Sequence, residues 1–235
     1  MQQLIRSIFI VGAAAFLCAC PSTNVRQPPA STTAVPTISA PDVRGATLYT
    51  IDSMASDVQI HVFRGGTLAR LGHNHVMTSK HVTGRVWLQS AFERSAFELT
   101  FPVAELIVDD PAARAAAGSE FPGEIEADDR EGTKKNMLRA EVLDAEHHPM
   151  ISLRSVRVSG PQQNAQVIAR ITIKDVSRDV TVPMVIAVQG ARLTARGEFD
   201  IQQTEFGMKP FSIGMGALEV LDRLHIKFKI VAAQQ

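Results

Sequence analysis

Beyond residue 46, most of the chain alternates apolar and polar side chains one by one. Val58, Ile60 and Val62, for example, alternate with Gln59 and His61. A strand with one buried face shows this period of two, because successive side chains point to opposite faces of a sheet. The same alternation returns at residues 82–88, 96–101, 151–153, 167–173, 180–188, 193–201 and 224–230. The pattern predicts an all-β domain of at least eight strands.

The connections between these segments favour antiparallel pairing. The turn predicted at residues 174–179 lies between two apolar runs and is too short for a helical crossover. A sheet of about eight antiparallel strands most economically closes into a β-barrel, which has no free edges and can enclose one small ligand. A β-sandwich with a solid core fits the periodicity equally well, so that alternative stays open.

One segment, residues 112–140, departs from the alternation. It is rich in Ala and charged residues and contains no run of β-branched residues. This composition predicts one or two short helices, broken at Gly118 and Pro122 and again at Gly132.

The first nineteen residues have the layout of a secretory signal peptide. Arg6 precedes an apolar run, residues 8–17, that is too short to span a bilayer. The run ends in Leu17-Cys18-Ala19-Cys20, which resembles the lipobox of bacterial lipoproteins. That resemblance implies cleavage before Cys20 and lipidation of its thiol. An ordinary secretory signal is the alternative. Cys18 and Cys20 are the only cysteines in the chain, so after cleavage no disulfide can form.

Residues 20–43 have the composition of a tether. Five of the twelve prolines lie between residues 21 and 41, among many Ser and Thr residues and a single charge. Such a segment buries too little apolar surface to fold by itself. Pro21 stands where an acidic residue often signals retention of a lipoprotein at the inner membrane. We therefore expect a periplasmic protein, held by its lipid anchor at the outer membrane.

The remaining residues, 44–235, are long enough for one compact domain with a sizeable core. The whole chain is 45% apolar and has a formal net charge of zero. Its longest basic cluster is Lys134-Lys135, so the sequence predicts no nucleic-acid partner.

Four stretches of this domain, in order, resemble the YceI family. They are YTIDSMASDVQIHV (49–62), LDAEHHPMISLRS (143–155), ARITIKDVSRDVTVPMVI (169–186) and TEFGMKP (204–210). The third stretch has Asp175 where the family usually has Gly. In the second, His147 and His148 replace the usual polar and aromatic pair. The resemblance runs through nearly all of residues 47–231.

The resemblance implies a lipocalin-like antiparallel barrel whose deep apolar cavity holds a long isoprenoid chain, such as that of a quinone. It implies no catalytic residues, and we expect neither enzymatic activity nor a required cofactor. The inward parity gives the residues predicted to contact an isoprenoid, quinone-like or fatty lipid. They are Val86, Leu88, Phe97, Leu99, Phe101, Ile151, Leu153, Ile171, Phe199, Ile201 and Phe228.

The histidines raise a second question. His73 and His75 are two residues apart, so their side chains project from the same face of an extended segment. They are predicted to hydrogen-bond a ligand headgroup at the mouth of the barrel, or the backbone. With His147 or His148 they could instead bind zinc, copper or iron.

Two other histidines and the possible nucleophiles give no candidate site. His61 and His225 have the polar parity of their strands and are predicted to face solvent. Nucleophilic catalysis is not expected, because the chain contains no G-x-S-x-G motif and no available cysteine.

The sequence therefore predicts a membrane-tethered barrel that carries, stores or senses an amphipathic lipid. A histidine-ligated metalloprotein or redox enzyme, and a structural adaptor that binds no ligand, are the alternatives. Whether two copies form a homodimer stays open.

Overall fold

The computed structural model describes residues 43–235. The predicted signal peptide (1–19), Cys20 and the predicted tether up to residue 42 lie outside the described residues. The strands of the described part are β1 (Thr47–Ile51), β2 (Asp57–Gly65), β3 (His75–Ser79), β4 (Thr83–Leu88), β5 (Ala96–Pro102), β6 (Ile107–Val108), β7 (Met150–Ser159), β8 (Ala165–Ile173), β9 (Val176–Gln189), β10 (Arg192–Gln202), β11 (Ser212–Ile213) and β12 (Leu218–Gln234).

The sheet closes on itself. Its hydrogen-bonded order is β1-β4-β5-β7-β8-β9-β10-β12, and β12 returns to β1 with Tyr49 opposite Gln234. All these pairings are antiparallel. The predicted eight-stranded antiparallel barrel is confirmed. The β-sandwich is wrong, because β1 pairs on both sides and leaves no free edge there.

Three of the eight long strands are interrupted. Each consists of two segments: β1 and β2, β3 and β4, and β5 and β6. Near the closed end β1 pairs with β4 and β4 with β5, and near the open end β2 pairs with β3 and β3 with β6. Val58 lies opposite Ser79, and Met77 lies opposite Val108. The seventeen-residue β12 is long enough to pair with both β2 and β1 along one side.

Because the strands are antiparallel, each connection lies at one of the two ends of the barrel. The open end carries residues 66–74, the helical segment 109–149, the turn 174–175 and the connection 203–217. The closed end carries the connections 89–95, 160–164 and 190–191. At the closed end, Phe92 packs with Phe97 against buried Val158, Ala165 and Val167. This apolar cluster fills that end of the barrel.

The helical segment contains α1 (Pro111–Ala117) and α2 (Ala127–Met137). Asp110 caps α1, because its side chain accepts a hydrogen bond from the Ala113 N–H and Pro111 begins the first turn. Gly118 ends α1 as predicted, but the predicted break at Gly132 is wrong. Gly132 lies inside α2, which shows that one glycine, costing about 1 kcal/mol relative to Ala, does not end this helix. Neither helix of residues 43–235 is long and apolar enough to cross a membrane.

The turn between β8 and β9 is shorter than predicted. It consists of Lys174 and Asp175 alone, and β9 already begins at Val176. Both turn residues have positive φ, 51° and 60°. A two-residue hairpin turn requires that conformation, and Asp tolerates it better than most side chains. Asp175 therefore occupies a turn position that would also suit Gly, and the turn is still only two residues long.

Candidate functional site

A cavity of about 300 Å³ runs inside the barrel. It is surrounded by strand residues of the inward parity, because the alternation puts every second side chain inside. Nine of the eleven apolar residues predicted to contact a ligand lie in its wall: Phe97, Leu99, Phe101, Ile151, Leu153, Ile171, Phe199, Ile201 and Phe228. Phe199 and Phe228 meet there edge to face, with ring centroids 6.2 Å apart.

The other two predicted residues, Val86 and Leu88, are not part of this wall. They line a separate cavity of about 50 Å³ at the closed end, beside Phe92. The physical reason is their position on β4, the half of its long strand that runs towards the closed end. Their inward parity is correct, but the apolar cluster around Phe92 and Phe97 separates them from the main cavity.

Several wall residues come from outside the predicted strands. The helical segment and the connection 203–217 contribute Met137, Val142, Leu143, Met208 and Phe211. Their side chains cover part of the open end. Sequence patterning gave no signal for them, because segments without a fixed period do not show which of their side chains face inward.

The polar groups of the cavity wall lie at the open end, and the rest of the wall is apolar. They are Arg64, His73, His75, Thr133, Asn136, Gln203 and Glu219. Arg64 and His73 are exposed to solvent and also line the cavity. The cavity thus changes from apolar to polar along its length and reaches solvent at its polar end.

His73 and His75 both lie in this wall, with ring centroids 6.3 Å apart. They flank the start of β3, just after the short 3-10 turn Ala69–Leu71. Nδ1 of His75 is 2.6 Å from Oδ2 of Asp109. The sequence alone does not reveal Asp109 as a partner of His75, because the two lie 34 residues apart and only the pairing of β3 with β6 brings them together.

Asp109 is the centre of a buried polar network. Its side chain is fully buried and accepts hydrogen bonds from Arg114 Nη1 at 2.7 Å and from the Val76 N–H at 2.9 Å. Burial by itself raises the pKa of this carboxyl. The hydrogen bonds from His75, Val76 and Arg114 outweigh burial and hold the pKa below its usual value. Asp109 is therefore an ionised carboxylate at neutral pH.

Arg114, on α1, is 2% exposed. Its guanidinium also donates hydrogen bonds to the backbone carbonyls of Asn74, Pro122 and Gly123. These contacts tie α1 and the connection to α2 onto the start of β3. They also fix the position of Asp109, whose backbone has a positive φ of 52°.

The two histidine pairs, which could together have bound a metal ion, do not form one cluster. His147 and His148 instead lie beside Asp144. Nδ1 of His147 is 2.8 Å from Oδ1 of Asp144, and Nε2 of His148 is 3.7 Å from its Oδ2. His148 also pairs with Asp175. Asp144 and Asp175 belong to the turns next to β7 and β9, so they hold the second pair there. Within residues 43–235, no three His, Cys, Asp or Glu side chains come together as a metal-binding group.

The prediction that His61 faces solvent is wrong. Its side chain points to the outside of the barrel, as its parity requires, but Phe121 of the helical segment covers it with ring centroids 4.8 Å apart. His61 is only 3% exposed. Burial, and after it the positive charges of Lys227 and His225, lower the pKa of His61 to about 4.

His225 is partly covered on the same outer face. Its side chain is 22% exposed, and its Nδ1 lies 2.7 Å from Oδ1 of Asp200. The rings of His61 and His225 have centroids 5.7 Å apart. Both histidines thus lie on the outer face of the barrel, opposite each other on β2 and β12, and neither lines the cavity.

Comparison with known proteins shows the family to which this barrel belongs. The family model described as YceI-like domain matches residues 49–232, which is most of the chain. The chain belongs to the YceI family. No curated protein matches the sequence significantly.

Solved structures of low sequence identity share the YceI-type fold. BcnA of Burkholderia cenocepacia is 18% identical, with a TM-score of 0.57, covering 78% of this chain and 99% of its own. A polyisoprenoid binding domain from Saccharophagus degradans, described as implicated in plant cell wall breakdown, is 8% identical, with a TM-score of 0.53. That match covers 80% of this chain and 98% of the domain. At these identities the similarity establishes the fold.

Proposed function

We propose that this YceI-family chain binds one isoprenoid or other single-chain amphipathic lipid, with the apolar tail inside the barrel. The observation that carries the proposal is the cavity itself. It is apolar along the strands and polar only at the open end. Each methylene moved from water into such a wall contributes about 0.8 kcal/mol. A long tail therefore offsets the entropic cost of association without any polar contact.

The size of the cavity supports a single chain. A volume of about 300 Å³ is at the lower end of ligand-binding cavities. A narrow tube between strands suits an extended tail better than a fused ring system. The polyisoprenoid binding domain from S. degradans has the same fold, and this supports an isoprenoid as the first ligand to test.

The proposed activity is carriage, storage or sensing of the lipid, without catalysis. Among the described residues, the cavity wall contains one hydroxyl side chain, Thr133, and no cysteine. His75 and Asp109 form a hydrogen-bonded pair, but no side-chain nucleophile of the wall is bonded to His75. These features favour binding over covalent chemistry.

The location of the protein is a further part of the proposal. Lipidation of Cys20 would anchor the chain in the outer membrane, facing the periplasm, and residues 21–42 would connect the anchor to the barrel. A Cys20→Ala variant tests this. We expect metabolic labelling with palmitate and recovery in the membrane fraction for the wild type, and loss of both for the variant. Equal labelling of both forms would contradict the proposed anchor.

Native mass spectrometry combined with lipid extraction tests the binding proposal. The protein is purified from its own cell envelope under non-denaturing conditions, and the extract is compared with that of an unrelated envelope protein of similar size. We expect one specifically enriched lipid with a long apolar tail and a protein mass increased by one copy of it. A protein of unmodified mass with no enriched lipid would contradict the proposal.

A further inference from the structure

The cavity offers one polar atom whose hydrogen-bonding role the surrounding protein determines. Nδ1 of His75 lies 2.6 Å from Oδ2 of Asp109, and the residue lines the cavity opposite Val62, its partner on β2. Nε2 of the same ring has no hydrogen-bond partner among the residues that the structure describes. The imidazole is therefore fixed at one nitrogen and available at the other.

The partner of Nδ1 decides which nitrogen carries the proton. Asp109 accepts hydrogen bonds from the Arg114 guanidinium and the Val76 N–H, and its side chain is fully buried. A carboxylate held in this way has no proton to donate, so Nδ1 of His75 must be the donor. In a neutral imidazole the other nitrogen is then an acceptor. Nε2 thus presents a lone pair to the cavity.

The surrounding network keeps this arrangement in place. Arg114 is bonded to three backbone carbonyls as well as to Asp109, so the carboxylate cannot turn away without breaking buried hydrogen bonds. The charged groups that line the cavity nearby are Arg64 and Glu219, which are of opposite sign. Arg64 already donates a hydrogen bond to the Gly72 carbonyl. Among the described residues, the polar end of the cavity thus contains no cluster of cations for an anionic headgroup.

We propose that Nε2 of His75 accepts a hydrogen bond from a hydroxyl group of the bound lipid. The ligand class is then a long-chain alcohol or phenol, such as a prenol or a hydroquinone with a prenyl tail. A lipid phosphate is disfavoured, because its oxygens are acceptors that meet an acceptor. This inference rests on the proposed function, since it names the headgroup of the lipid whose tail fills the barrel.

Three ligands with the same tail test the proposal: geranylgeraniol, its methyl ether and its monophosphate. Their affinities are measured by titration at about pH 8, where imidazole side chains are ordinarily neutral. We expect wild-type protein to bind the alcohol about three- to tenfold more tightly than the ether, which corresponds to one hydrogen bond. His75→Phe should remove this ratio, with alcohol and ether compared within the variant. His147→Phe, the same substitution outside the cavity wall, should leave the ratio unchanged.

The outcomes separate the headgroup from the tail. Binding of the ether by the wild type supports the proposed function whatever the ratio of alcohol to ether affinity. Equal binding of alcohol and ether by the wild type would overturn the headgroup proposal alone, and so would tightest binding of the monophosphate. Failure of all three ligands to bind the wild type would overturn both proposals.

A second measurement uses the wild type alone and needs no variant of His75. Long-range ¹H–¹⁵N correlation spectra of the wild type report the tautomer of each histidine side chain. We expect His75 to be protonated at Nδ1 and bare at Nε2, and its Nε2 resonance to shift when the alcohol is added but not when the ether is added. Protonation at Nε2 in the neutral ring would overturn the proposal.

Discussion

Arg114 donates a hydrogen bond from Nη1 to Oδ1 of Asp109 over 2.7 Å, and both side chains are almost completely buried. The pair joins α1 to the end of β6, and through the Val76 N–H it also contacts β3. It thus attaches the helical segment to the barrel at the side where His75 lines the cavity. The stability of the fold and the geometry of the polar end of the cavity depend on the same two side chains.

Arg114→Met removes one charge of this pair and leaves the other buried without its strongest partner. We expect the free energy of unfolding to fall by about 3–5 kcal/mol. Lys80→Gln is the control. It breaks an ion pair with Asp57 whose two side chains are substantially exposed, and it should cost less than about 1 kcal/mol. Urea denaturation of both variants measures the difference, and similar losses for the two would contradict the role given to the buried pair.

His61 makes the stability of the protein depend on pH. Its pKa in the folded protein, about 4, lies below the ordinary value of 6.5. As the pH falls, the unfolded chain takes up this proton first, so stability is lost between about pH 6.5 and pH 4. From pH 7.5 to pH 5 the loss attributable to His61 is about 2 kcal/mol.

His61→Phe keeps an aromatic ring beside Phe121 and removes the titrating group. We therefore expect the variant to lose about 2 kcal/mol less than the wild type over that pH interval. His81→Phe removes an imidazole that is 58% exposed and should retain the wild-type loss. Denaturation curves at several pH values provide the comparison. A His61→Phe curve parallel to that of the wild type would show that this side chain is not buried as a neutral group.

Thr78 is 1% exposed, and its hydroxyl has no hydrogen-bond partner among the described residues. A buried hydroxyl without a partner costs about 1–3 kcal/mol relative to an apolar group. Thr78→Val, which has nearly the same shape, should therefore raise the free energy of unfolding by about 1 kcal/mol. In Thr172→Val the lost hydroxyl is exposed and bonded to Ser177, so no gain is expected. Thermal unfolding distinguishes the two, and destabilisation by Thr78→Val would count against an unpartnered hydroxyl.

Ala169 offers a way to fill the cavity from within. Its side chain is 1% exposed and lies in the cavity wall on β8. Ala169→Leu extends into the space assigned to the lipid tail, and we expect affinity for geranylgeraniol to fall at least about tenfold, because several methylenes of the tail lose their place. Gln166→Leu adds the same side chain to the outward face of the same strand and should bind as the wild type does. Unchanged affinity in Ala169→Leu, with an unchanged melting temperature, would place the ligand elsewhere.

Much of the fold could be predicted from strand parity. The inward residues of β8, β10 and β12 follow directly from the alternation, because side-chain direction in a strand is a local property. The closure of the sheet is not local. It depends on the pairing of β12 with β1, in which Gln234 lies opposite Tyr49, 185 residues earlier in the chain. Alternation alone is equally compatible with a sandwich.

The apolar wall of the site was predictable where it is made of strands. Phe199 and Phe228 line the cavity as their parity requires, whereas Val86 has the same parity and is separated from it by the packing of Phe92. The covering of His61 by Phe121 and the pairing of His75 with Asp109 depend on how the helical segment returns to the barrel. The spacing of His73 and His75 could predict that both face the mouth of the barrel. No period or motif encodes the return of the helical segment, so the side chains that surround these histidines required the structure.

The central claim is that the lipid tail lies inside the barrel, and photo-crosslinking tests it most directly. A prenol with a diazirine near the end of its tail is bound, irradiated and located by peptide mass spectrometry. We predict saturable labelling of peptides that contain wall residues such as Phe199 and Phe228, competed by unlabelled prenol and reduced in Ala169→Leu. Labelling confined to exposed apolar residues of the outer surface, such as Val185 and Leu71, would contradict the account.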